Sequence, residues 1–158
     1  MVNRIDHFER LGLPRRFSVD GAELERNYLA RSREVHPDFD TGDEDAAAAL
    51  NKAYATLREP FPRAEHLLNL LGGPGASDDK SLPPAFLMEM LELREEIESA
   101  KGSPEQGAKI EADLMSRTKD LERLLEGLFE QRDLTAIRRE LNCVRYLSNL
   151  LRDLHSVA

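Results

Sequence analysis

The eight prolines of this chain fall between stretches of helical periodicity or at their starts, and together with glycine turns and capping residues they divide it into six or seven helices with no confident strand. Gly12-Leu13-Pro14 ends a short segment, about Asp6 to Leu11. A second helix begins with Asp20 as N-cap and Glu23 three residues on, a capping-box spacing. Leu24, Tyr28 and Val35 recur along it at helical spacing, and it must stop near Val35, because Pro37 disfavours helical geometry in the residue before it. The polar stretch Asp38 to Asp43 follows, then a third helix, about Glu44 to Arg58. Its expected buried stripe is Ala46, Ala49, Leu50, Ala53, Tyr54 and Leu57. Pro60 and Pro62 break it, and a short helix from Arg63 to Leu71 ends at Gly72-Gly73.

Gly72 to Ser81 holds three Gly, one Pro, two Ser and three charges, the clearest linker in the chain. Three longer helical patterns come after it. One runs about Pro84 to Ala100. The next has Ser103 as N-cap, Pro104 at its first position and Gln106 completing the box, and reaches about Gln131. The last runs about Leu134 to His155. Short joints between them imply an antiparallel three-helix bundle. The expected organisation is therefore all-α, with 1–71 as one domain, 72–81 as linker and 82–158 as a second domain.

Composition agrees with helices. The 158 residues are 41% hydrophobic and only 6% aromatic, with no Trp, and Leu-rich stretches dominate. No run approaches the roughly 18 apolar residues of a membrane span. The first nine residues carry Arg4, Asp6 and Glu9 with no apolar centre, unlike a secretory signal. The default expectation is a cytoplasmic protein that does not act at a membrane. A net charge of -8 argues against nucleic acid as partner. Residues 1–36 nevertheless hold seven arginines against six acids, a local +1 that leaves -9 for the rest. Such a segment is either a solvated helix face or a contact for an acidic partner.

The lone Cys143 can form no internal disulfide, and His7, His66 and His155 have no metal-ligand spacing. Cys143 sits among Leu141, Val144 and Leu147 and reads as core. The expectation is no metal and no cofactor. No catalytic constellation is visible either, so an enzyme is the least favoured class.

His36-Pro37-Asp38 closes the second helix. Pro37 fixes one backbone dihedral, leaving His36 and Asp38 on a rigid corner that can meet a partner with little ordering entropy lost. The short first helix, this corner, and the run Asn51-Lys52-Ala53-Tyr54-Ala55-Thr56-Leu57 together resemble the J domain of DnaJ-type co-chaperones. That resemblance implies an antiparallel helical hairpin with short flanking helices. It also implies that His36, Pro37 and Asp38 engage a DnaK-type chaperone and activate its ATPase. Arg26 and Arg33 lie within ~20° of each other on a helical wheel and become the implied cationic contacts. J domains usually carry Lys or Arg after the tripeptide, whereas Phe39 stands here, followed by Asp40, Asp43, Glu44 and Asp45. The departure shifts the expected binding toward the second helix.

The remainder resembles the HscB/Jac family, the J-proteins of iron–sulfur cluster assembly. Arg58-Glu59-Pro60, Arg63 to Leu68, and the run Phe86 to Glu96 carry the likeness. On the wheel, Phe86, Met90, Leu93 and Ile97 fall within ~60° and suffice as a core stripe. Leu87, Met88 and Leu91 lie on another side with Glu92 and Glu95 beside them. Either this helix is buried on two sides or the second patch is an interface. The resemblance implies the interface: Leu87, Met88, Leu91, Glu92, Glu95 and Tyr146 would grip an iron–sulfur scaffold protein of the IscU type. An acidic position of the family patch is Ser99 here, with Glu98 adjacent. The implied function is to deliver scaffold to an HscA-type chaperone and stimulate its ATPase, in a bacterial cytoplasm. Two alternatives stand beside it: a J-like adaptor for other client proteins without ATPase stimulation, and a metal or cluster carrier. One cysteine disfavours the carrier.

Overall fold

A computed structural model describes residues 5–35 and 44–156. Seven helices and no strand occur among them: α1 (His7–Arg10), α2 (Gly21–Val35), α3 (Glu44–Arg58), α4 (Pro60–Leu70), α5 (Pro84–Ser99), α6 (Pro104–Gln131) and α7 (Leu134–Ser156). The fold is all-α, as the periodicity indicates. None of these helices is long and apolar enough to cross a membrane. The chain divides into two compact units, Met1–Leu67 and Leu68–Ala158.

In the first unit, α1 and α2 both pack on α3. Asp6 caps α1, accepting from the Glu9 amide at 3.0 Å, and its other carboxylate oxygen accepts from Arg15 Nε at 2.9 Å. The turn after α1 passes through Gly12 at φ 64°, a left-handed conformation that favours glycine. Asn27 Nδ2 of α2 donates to the Leu11 carbonyl there at 2.8 Å. Asp20 Oδ1 accepts from the amides of Ala22 and Glu23 at the start of α2, at 2.9 and 3.4 Å. Two details differ from the periodic reading. The buried stripe of α3 is Ala47, Leu50, Ala53 and Leu57, while Ala46, Ala49 and Tyr54 are half-buried. And α4 begins at Pro60, not Arg63. First-turn positions need no intrahelical N–H, so the prolines that stop α3 also start α4.

The second unit is built on α5, α6 and α7. Met90, Leu93 and Ile97 of α5, Ile110 and Leu114 of α6, and Leu147, Leu150 and Leu154 of α7 form one buried cluster. Phe86, Leu121, Tyr146 and Leu151 pack against it from the rim. Ser103 caps α6 by accepting from the Gln106 amide at 3.4 Å. That helix ends at Arg132 in a left-handed conformation, and Asp133 Oδ1 then accepts from the Ala136 amide at 3.2 Å at the start of α7. The 72–81 stretch has no helix, but two of its carbonyls are held by α7. Asn142 Nδ2 donates to the carbonyls of Asp79 and Ser81 at 3.0 and 2.9 Å. The fully buried Arg138 orients that amide by donating from Nε to Asn142 Oδ1 at 3.1 Å.

Candidate partner-binding surfaces

The first candidate surface lies on α2. Buried Leu24 anchors the helix, and the Tyr28 ring stacks on Tyr54 of α3 with centroids 4.1 Å apart. The Tyr28 hydroxyl donates to Asn51 Oδ1 at 2.7 Å, and Arg58 covers the Tyr54 ring at 5.6 Å. These contacts fix the rotation of α2 about its axis. They leave Arg26 and Arg33 on the exposed side, with Leu29 exposed between them. Leu29 was not singled out by periodicity, since a lone exposed leucine looks ordinary in a helical pattern. His36, Pro37 and Asp38 lie outside the described residues, directly after the end of α2, and so does Phe39.

The second candidate surface lies on α5. Core packing fixes its register: Met90, Leu93 and Ile97 point into the bundle. By helical geometry Leu87, Met88 and Leu91 then face outward, and they are 41%, 66% and 54% exposed. Among the described residues nothing covers them, so the alternative of burial on two sides does not hold. Glu92 and Glu95 are exposed beside them. Together with Glu96 and Ser99 they line a shallow groove whose far wall is Lys109 and Ile110 of α6. Tyr146, from α7, is half-buried at the opposite edge of the patch. Phe86 meets its ring edge-on at 6.0 Å, and the Arg94 guanidinium sits over it at 5.2 Å. The structure thus brings all six expected contact residues of this patch onto two neighbouring helices. It adds Arg94, which the sequence pattern did not mark. Arg94 follows Leu87 by seven residues, which was the available signal, but only the packing of α7 reveals what it touches.

No group of His, Cys, Asp or Glu side chains that could hold a metal ion occurs among the described residues. Cys143 is buried, and burial pushes its thiol up to about 12, with nearby Glu140 adding to the effect. These surfaces can bind by shape, apolar area and charge.

Comparison with known proteins agrees with this architecture. The family model described as the HSCB C-terminal oligomerisation domain matches residues 82–155. A co-chaperone protein HscB homolog of Burkholderia mallei is 42% identical over 106 residues, 61% of each chain. The chain thus matches about three fifths of the length of such curated relatives. Chaperone HscB from Vibrio cholerae superposes with a TM-score of 0.80 at 30% identity, covering 97% of both chains. Human co-chaperone protein HscB superposes with a TM-score of 0.85 at 28% identity, covering 99% of this chain and 83% of that one. The fold of an N-terminal J-like unit followed by a helical bundle is shared over nearly all of this chain, and the chain belongs to the HscB family.

Proposed function

We propose that the protein is a J-domain co-chaperone that holds an iron–sulfur scaffold protein of the IscU type and presents it to an HscA-type, DnaK-like chaperone. In this reading residues 1–71 are the J domain, 72–81 the linker and 82–158 the scaffold-binding bundle. The observation that carries it is the outward face of α5. A helix already committed to the core through Met90, Leu93 and Ile97 keeps three large apolar side chains in solvent, beside two exposed glutamates. Leaving that area exposed forgoes on the order of 25 cal/mol per Å² of burial, which a partner recovers on docking.

The other half of the activity is assigned to the end of α2. Arg26 and Arg33 supply a cationic face for an acidic surface of the chaperone, and His36, Pro37 and Asp38 act as the corner that triggers its ATPase. The protein performs no bond chemistry in this scheme and acts in the cytoplasm of a bacterium. Its contribution is coupling: scaffold held on the bundle reaches the chaperone at a high effective concentration.

The test is steady-state ATP hydrolysis by an HscA-type chaperone with the full chain added. Wild type is expected to stimulate hydrolysis, and further with scaffold present. His36→Gln is expected to lose the stimulation. Full stimulation by His36→Gln would remove the proposed role of the corner, and no stimulation by wild type would leave an adaptor.

A further inference from the structure

The patch on α5 is charged with opposite sign on its two sides. On the α6 side stand Glu92, Glu95 and Glu96, in the groove closed by Lys109 and Ile110. On the α7 side stands Arg94, over the ring of Tyr146. The ion pairs around the patch explain why these groups remain available. Glu89 is taken by Arg117 of α6 at 2.6 Å, and Asp113 by the same guanidinium at 3.1 Å. Glu98 is taken by Lys101 at 2.6 Å. Arg94 therefore has no carboxylate partner among the described residues, although Glu98 lies one turn on. An arginine preceding a glutamate by four residues is the weaker order for a helical pair, and the aromatic face of Tyr146 holds Arg94 instead. Glu92 and Glu95 likewise have no cationic partner among the described residues.

The imbalance extends along the helices. α5 carries five glutamates against Arg94 alone, while α7 carries four arginines against two acids. Leu87, Met88 and Leu91 thus lie at a boundary between an acidic helix and a basic one. On a helical wheel Arg94 falls within ~20° of Leu87, and Glu95 within ~40° of Leu91. Each charge borders the apolar area directly.

Resting on the scaffold-binding reading above, we propose that this surface fixes the direction of its partner. The partner segment it fits has apolar side chains over Leu87, Met88 and Leu91, a basic group toward Glu92 and Glu95, and an acidic group at Arg94. Arg94 does two things there. It holds the Tyr146 ring at the edge of the patch, and it offers a guanidinium with donors still open to a carboxylate. A segment with the same apolar residues but its charges exchanged end for end meets like charge at both edges and is refused.

Calorimetric titration of the full chain with an IscU-type scaffold, at low and high salt, tests this. Arg94→Gln is expected to weaken binding about threefold at low salt, and Arg94→Glu about tenfold, with the loss shrinking as salt rises. Arg94→Lys keeps the charge and is expected to recover most of the affinity. Arg94 is exposed, so these variants should stay folded and shift the thermal midpoint by no more than the loss of its contact with the Tyr146 ring. Wild-type affinity in both Arg94→Gln and Arg94→Glu, with Leu87→Ser/Leu91→Ser binding abolished, would overturn the directional claim and leave the scaffold site standing. A loss identical at both salt concentrations, or no recovery by lysine, would overturn the charge role of Arg94. Unchanged binding by a folded Leu87→Ser/Leu91→Ser variant would instead overturn the scaffold site itself.

Discussion

Cys143 is the one thiol in the chain, and burial decides its chemistry. Its side chain packs in α7 at 2% exposure, and the thiol is pushed up to about 12 by burial and by neighbouring Glu140. The thiolate is the reactive species, so raising the thiol this far leaves the folded state almost without it at pH 8. The expected outcome is that an aromatic disulfide reagent labels Cys143 at the rate of unfolding, and at once in denaturant. Rapid labelling of the native protein would contradict the packing. This burial was legible from sequence, because Leu141, Val144 and Leu147 surround the cysteine at helical spacing. The position of Arg94 was not. A guanidinium over an aromatic ring depends on which helices are neighbours, and residues 94 and 146 are too far apart for local periodicity to relate them. Leu29 escaped for a different reason, since exposure of a single leucine becomes informative only beside the two arginines that flank it.

At the scale of elements, α1 and α4 are joined by a histidine pair. The His7 backbone N–H donates to His66 Nε2 at 3.2 Å, so that nitrogen must be unprotonated. The two rings lie 4.2 Å apart, and His66 also stacks on Phe8 at 5.7 Å. Burial holds both imidazoles below their ordinary value of 6.5. Lys52 and Arg10 add to this for His7; His7 itself and Arg15 add to it for His66; Asp6 opposes for both. The folded-state values are depressed, so the stabilisation is complete above about 6.5. It falls as pH drops below that, because the unfolded chain then binds protons that the folded chain does not. The thermal midpoint should therefore decline between pH 7.5 and 5.5, and His66→Gln should flatten that decline. An equal decline in both proteins would place the titration elsewhere.

The helices themselves were largely readable from caps and breakers. Ser103-Pro104, Asp20 and the Gly12 turn all stand where local chemistry puts them. The start of α4 is not legible in this way, because Pro60 and Pro62 are as compatible with the first turn of a helix as with the end of the one before. The α3 stripe shifted because its run of four alanines offers several nearly equivalent faces, and packing chooses among them.

For the whole molecule, the property on which the proposed function depends is that one chain would carry two surfaces, one for each proposed partner. The carbonyls of Asp79 and Ser81 are held by Asn142, so the segment that precedes α5 is fastened to the bundle through α7. If the protein works by coupling, lesions at the two surfaces should separate cleanly. His36→Gln is expected to bind scaffold with wild-type affinity while failing to stimulate the chaperone. Leu87→Ser/Leu91→Ser is expected to stimulate the chaperone to the scaffold-free level, with the further increment from scaffold absent. The sharper prediction concerns their mixture. An intramolecular tether raises effective concentration only when both surfaces lie on one chain, with gains of about a hundredfold or more. Equal amounts of the two variants should therefore fail to restore the scaffold-dependent increment at concentrations where wild type shows it fully. Circular dichroism of both variants must match wild type for the comparison to hold. Restoration by the mixture would mean that the surfaces act independently, and coupling through the single chain would have to be abandoned.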